Sequence, residues 1–377
     1  MIVRHILRSR LARFCLFSCV TAGLVATIVI TGGCVVTSHK AANRFHPVND
    51  PVSSEHRALI ASIPKYQRPE SGTYLTFPEW YLVFNPQEYA QSLAQHPPSR
   101  FPYFKSIDQL WTGYAEVYGA TKRTYPFDPG KHLMVMVIST SSTVEFTIKG
   151  VYENTVGRLS ELSAGNHRTS EDDYAAQVAK DYGDFIPTLP WFEFPFGHKL
   201  TKLWSQNRFF GRHFPRKLER KFFLSLEYGV KSLYAGVIRL ASHAVYGVAD
   251  TEVYATVHDI PENAFDNPNV KKIKSLSDGS FVITVPHYQG FTDTIPLLAR
   301  QGVQFDDIAG NDEILLTIIA SADWTYDLAA GNQLFTMELL SDTDSKRVAI
   351  QAPVKSLGAL LREIETKHLR IEHLYDY

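Results

Sequence analysis

Three groups of residues have the types and spacing that chemistry needs. The first is Glu145, Lys149 and Glu153, which recur at i, i+4 and i+8 with Tyr152 and Arg158 close by and the hydroxyls Thr140 to Thr143 just before them. That spacing puts the three charges on one face of a helix. A carboxyl beside a cation in a cleft is what a general acid or base requires. Glu145 and Glu153 are therefore candidate catalytic residues, and Lys149, Tyr152 and Arg158 candidate ligand contacts. The plainer alternative is a salt-bridge ladder on a solvated helix.

The second group is Phe77-Pro-Glu79-Trp80-Tyr81. Glu79 beside the rings of Trp80 and Tyr81 could hold a sugar or peptide by stacking and hydrogen bonding, unless these are core aromatics near a turn. The third is a basic aromatic belt over residues 186–240, with Trp191, Phe192, Trp204, Phe209 and Phe210 among Arg208, Arg212, Arg216 and Lys217. Rings at headgroup level and cations on phosphates are what an interfacial segment needs. The competing reading packs a stripe starting at Phe223 on a core and leaves a basic outer face.

No other signature selects a reaction. Gly-x-Ser-x-Gly, a Walker A loop, Gly-x-Gly-x-x-Gly, His-Glu-x-x-His and an EF-hand loop are all absent,. Ser62-Ile-Pro-Lys65 has Ser-x-x-Lys spacing, but Pro64 breaks the helix that would join the two side chains,. The fourteen histidines are scattered, with His368 and His373 five apart. The acids Asp306, Asp307, Asp312 and Glu313 read as a solvated hairpin turn. Neither a cofactor nor a metal is expected.

The elements that must position these groups follow from periodicity. Tyr74 to Phe127 is dense in aromatics, and Ile107–Lys122 has helical spacing,. Leu133–Ile138 reads as a buried strand. Ser142-Thr-Val-Glu145 reads as a capping box opening a helix that stops near Gly165. Glu171–Tyr182 and Arg216–Tyr246 read as further helices, the latter with Phe223, Leu226, Val230, Leu233 and Val237 as its core stripe. After Val248 the pattern turns to strands. Phe281–Pro286 and Val348–Pro353 match, and each is followed by a Leu-Leu helix and a second strand. Two such β-α-β units predict a ferredoxin-like split βαβ sandwich.

The expected class is therefore α+β. Its parts are a basic segment 1–13, an apolar segment 14–36, a tether 37–70, a mainly helical aromatic-rich domain 71–248 and a ferredoxin-like domain 249–377. Residues 14–36 are almost wholly apolar, long enough to span a bilayer, and preceded by four arginines,. This predicts a single-pass inner-membrane protein with its body in the periplasm. Thr31-Gly-Gly-Cys34 leaves open a lipoprotein scaffold anchored through Cys34. All three cysteines, Cys15, Cys19 and Cys34, lie in this stretch, so the body needs no disulfide,.

The 38 basic and 39 acidic residues nearly balance, which argues against a nucleic-acid partner,. Inner-membrane lipid, with or without a membrane-protein partner, fits better. The leading expectation is a non-catalytic binding or assembly factor at the periplasmic face. The rival is an envelope hydrolase or transferase working through Glu79, Glu145 or Glu153.

Overall fold

A computed structural model describes residues 62–63, 66–206, 210–245 and 251–377. The apolar segment 14–36, Cys34, Arg208 and Phe209 lie outside the described residues. The chain is α+β, with every described strand following residue 251. No described helix is long and apolar enough to cross a membrane.

The helical part opens with α1 (Ser71–Leu75), α2 (Phe77–Gln95) and α3 (Tyr103–Thr121). Helix α4 (Pro129–Tyr152) follows, and a π-turn at Glu153–Gly157 carries it directly into α5 (Arg158–Ser163). The expected strand at Leu133–Ile138 is helical. Its apolar run continues without a breaker, and Pro129 at the first turn with the Asp128 side chain accepting from Lys131 N at 3.0 Å starts the helix upstream,. Ser142 thus lies mid-helix and caps nothing. Gly165, at φ +64°, follows the helix end as expected,. Helix α6 (Ser170–Phe185) has the capping box, between Thr169 and Asp172,. Helices α7 (Phe196–Gln206) and α8 (Phe214–Val245) complete this part.

The strand part is a tandem repeat. Its first unit is β1 (Glu252–His258), β2 (Lys271–Ser275), β3 (Phe281–Pro286), α9 (Gln289–Arg300) and β4 (Gln304–Ile308). The second is β5 (Glu313–Ser321), β6 (Asn332–Glu338), β7 (Ser345–Pro353), α10 (Val354–Thr366) and β8 (Arg370–Tyr375). Each unit builds its own antiparallel sheet, in the orders β2-β3-β1-β4 and β6-β7-β5-β8. The two split βαβ units are present, but they do not merge into the single four-stranded sheet of a ferredoxin-like sandwich.

The reason is an exchange of helices. Thr292 on α9 bonds Leu374 N of β8 at 3.0 Å, while Gly358 on α10 lies so close to β4 that a Cβ would sit 2.8 Å from Val303 O. Each helix thus reaches the last strand of the other unit, and one core joins Val253, Phe291, Ile295, Phe305, Ile318, Ile350, Leu357 and Leu361.

The helical part shares a second core with these sheets. Tyr74, Phe77, Trp80, Tyr81 and Phe84 pack on Leu315, Phe335, Met337, Ala349 and Tyr375. The end of the presumed tether is also fastened down. Tyr66 is fully buried, and its hydroxyl reaches Thr256 at 2.6 Å and Asp307 at 3.0 Å. The acidic cluster does frame a tight turn, Ala309-Gly310 closed by Ile308 and Asn311, with Asp312 exposed as expected, but it is only partly solvated. Asp307 is buried under Tyr66, and Glu313 accepts from Tyr74, Tyr125 and Gln351.

Candidate functional site

Helices α4 and α8 run antiparallel, and charges line their contact. Lys149 meets Glu227 at 2.9 Å, Lys231 meets Glu145 at 2.8 Å, and Arg220 meets Glu153 at 2.8 Å. The π-turn that begins at Glu153 adds a residue to the helical turn there, at the point where this carboxylate meets Arg220,. Arg216 continues the row to Asp172 at 2.7 Å and Glu219 at 3.1 Å, and Lys221 approaches Glu171. Arg158 pairs with Glu161 at 3.2 Å, and Tyr152 stacks on Phe223 at 4.0 Å and donates to Glu219 at 2.9 Å.

The first group of sequence candidates is thus a ladder, as the plainer reading had it, but interior at Lys149 and Glu153 and partly exposed at Glu145 and Arg158. Arg216, Arg220, Glu153 and Lys221 are each at most 1 % exposed. Burial would raise the Glu227 carboxyl, but Lys149 and Lys231 together hold it down to about 2,. For Glu153 burial prevails over Arg220 and moves its pKa upward.

The outer side of the same helices is apolar. In residues 214–239 every exposed residue is apolar or Tyr234. They include Phe222 at 64 %, Leu226, Val230, Leu233 at 76 % and Val237. On α4 and α5 the exposed positions include Val144, Ile148 at 61 %, Val151, Val156, Leu159 at 69 % and Leu162, and no exposed residue between 131 and 163 is charged. The outward residues Val144, Ile148, Leu226 and Val230 each precede an inward ladder residue by one position. In an antiparallel pair, a step of one residue back along either helix turns toward the same side. Both stripes therefore form one face.

This overturns the expected packing of α8. Phe223, Leu224 and Tyr228 face inward, whereas Leu226, Val230, Leu233 and Val237 face out. The stripe picked from the sequence mixed the two sides, because the ladder occupies positions that a solvated helix would turn to water.

The third group divides. Arg216 is buried in the ladder, and Lys217 lies 4.0 Å from Glu171, so neither is a free headgroup cation. Trp191 stacks on Tyr234, and the Phe192 carbonyl accepts from Arg239 at 2.6 Å. Trp204 is half exposed, Phe210 is 78 % exposed, and Arg212 is exposed.

In the second group, Trp80 and Tyr81 are core residues and offer no ring to a ligand. The Trp80 ring lies tilted against His373, centroids 3.5 Å apart, and burial, then neighbouring His287, hold that imidazole well below its usual range. Glu79 is half-buried and opposes Lys131. Burial pushes the carboxyl up to about 7 despite Lys131, and burial likewise lowers the Lys131 amine,.

Two arrangements had no sequence signal, since their members are distant in the chain. One is a His–Asp dyad, His287 Nδ1 to Asp376. Arg68 Nη1 lies 2.7 Å from His287 Nε2, and Arg68 Nη2 donates to Glu252 O at 2.9 Å. An arginine can only donate, so Nε2 accepts and the Nδ1 proton points to Asp376. With both ring nitrogens engaged, this dyad fastens residue 68 to both units rather than activating a nucleophile.

The other is a cavity of about 310 Å³ where α2 meets the second sheet, lined by Phe84, Gln87, Glu88, Gln91, Pro187, Gln289, Leu339, Arg347, Arg370 and Glu372. At its base, Arg347 donates from Nη2 to Glu88 at 2.9 Å and to Glu372 at 2.7 Å, and from Nε to Glu372 at 2.5 Å. None of Glu79, Glu145 and Glu153 lines it. Among the described residues no group of three or more His, Cys, Asp or Glu side chains is placed to hold a metal ion.

No protein-family model, curated protein or solved structure matches this chain.

Proposed function

We propose that this protein is a non-catalytic binding or assembly factor seated on a membrane, with the apolar face of α4, α5 and α8 in contact with lipid. The observation that carries this reading is the inversion of α8, charge inside and apolar side chains outside. In water each such Leu, Val or Ile forgoes about 1.5–3 kcal/mol that full burial would return, and a contiguous exposed apolar face marks an interaction surface.

Lipid is favoured over a soluble partner because this chain also carries the apolar segment 14–36, which would hold its body at a bilayer,. From Leu218 to Val237 the stripe on α8 is about 28 Å long. Because the apolar side chains run along one side of helices whose other side is charged, these helices would lie along the membrane and sink to the acyl boundary,. The basic belt contributes less than its composition suggests, since much of its charge is neutralised by acids inside the protein. The finer expectations, a periplasmic orientation and an inner-membrane location, rest on the arginines before residue 14,.

The rival enzyme reading loses support, because Glu145 and Glu153 are occupied by Lys231 and Arg220. The test is flotation of the body lacking residues 1–40 with neutral and with anionic vesicles. Binding to both, little weakened by salt and abolished by Leu226→Glu with Leu233→Glu, is expected. A folded body that stays in solution would remove the lipid contact, and salt-sensitive binding to anionic vesicles alone would return it to the basic belt.

A further inference from the structure

The cavity between α2 and the second sheet is independent of the apolar face, and its chemistry is specific. Its base is the Glu88–Arg347–Glu372 triad, and Arg347, 1 % exposed, keeps Nη1 without a hydrogen-bond partner. A buried N–H left unpaired costs on the order of 1–3 kcal/mol, and a native structure seldom leaves one unexplained. At the rim, Gln91, Gln289 and the exposed Arg370 add amide and guanidinium groups.

Two arginines and two glutamates cancel, so the lining is neutral. An anion would meet Glu88 and Glu372, and a cation would meet Arg347 and Arg370. Planar amides, carboxylates and guanidinium groups side by side offer donors and acceptors together. Hydroxyl groups, which donate and accept at once, match that set. Phe84, buried in the second core with the Arg347 guanidinium 5.1 Å over its ring, closes one wall of the cavity but offers no free face for stacking. The volume lies at the small end of pockets that hold organic ligands.

We propose that this cavity binds a small uncharged polyhydroxylated ligand, a sugar of one or two rings, with its hydroxyls on the Arg347 triad and on Gln91, Gln289 and Arg370. The site joins the helical part to the second sheet, so an occupant would bridge both.

The experiment uses the full chain in a detergent without a sugar headgroup. Glucose, N-acetylglucosamine and maltose are offered at up to about 10 mM, a range that captures weak binding, with glutamate, phosphate and putrescine as charged controls. Saturation-transfer NMR and thermal shift are read together. At least one sugar should bind and raise the melting temperature. Gln289→Ala and Arg370→Ala, both at the rim and away from the core, should weaken that binding about tenfold or more while melting like the parent. Gln91→Trp, which fills the mouth, should abolish it. The proposal is overturned if no sugar binds the folded parent, if the controls bind in place of the sugars, or if the rim variants bind as the parent does.

Discussion

Arg220 has no water to fall back on. It is fully enclosed, with Glu153 at 2.8 Å and Glu219 at 3.0 Å. Replacing one partner of such a pair strands the other, which costs about 3–5 kcal/mol, whereas replacing both by apolar groups is often neutral. Arg220→Met alone should therefore destabilise by that amount. Arg220→Met with Glu153→Leu should recover most of it in urea unfolding. An additive double mutant would show that the two side chains do not depend on each other.

Glu79 makes a pH prediction. Its pKa in the folded state, raised by burial to about 7, lies above the ordinary 4.5. A raised folded pKa means that the native state binds the proton more tightly. The stability is thus fully present below pH 4.5 and declines as pH rises toward 7. Glu79→Gln should stabilise the protein by about 1–3 kcal/mol at pH 8 and have little effect at pH 4. Melting at the two pH values checks the sign. Equal effects at both would place Glu79 in an ordinary solvated setting.

At the scale of elements, the start of α4 separates two possible helix boundaries. Asp128→Ala removes the cap to Lys131 N and should cost about 1 kcal/mol,, whereas Ser142→Ala, within the helix, should stay within about 0.5 kcal/mol. The opposite ranking would restore a helix beginning at Ser142. Gly157 is the second pressure point, because a Cβ there would lie 2.4 Å from Glu153 Oε2. Gly157→Ala should loosen the π-turn and with it the Glu153–Arg220 pair.

Much of this level was legible in the sequence. Arg216–Tyr246 anticipates α8 closely, and the matched runs Phe281–Pro286 and Val348–Pro353 correctly mark one strand in each repeat. Two things were hidden. Periodicity shows that a helix has two sides but not which side faces in, and on α8 the usual assignment is reversed by acids contributed from α4, α5 and α6. The exchange of α9 and α10 between units was equally out of reach, because Thr292 meets β8 across 82 residues.

At the scale of the whole molecule, the helical part is not a separate globule. Phe77 packs against Phe335 at 5.0 Å and Tyr375 at 5.8 Å, so α2 and the second sheet share one core. Phe77→Ala should cost about 3–5 kcal/mol and lower a single cooperative transition, whereas two separated transitions would show that the parts fold independently. The sugar cavity lies at this same junction. None of its residues was singled out in the sequence, because Glu88, Arg347 and Glu372 are brought together from α2, β7 and β8.

Contact between lipid and the inverted face of α4 and α8 is tested most directly by site-directed spin labels. The full chain, with Cys15, Cys19 and Cys34 replaced by serine, is reconstituted into vesicles with single labels at Ile148, Leu226 or Val230, and at Lys274 on exposed β2 as the aqueous reference. With the face in lipid, the three face labels should relax readily with oxygen and poorly with a water-soluble nickel chelate, the reverse of Lys274. Water-like accessibility at all four positions would contradict it, as would label–label coupling showing that two copies of the chain cover the face instead.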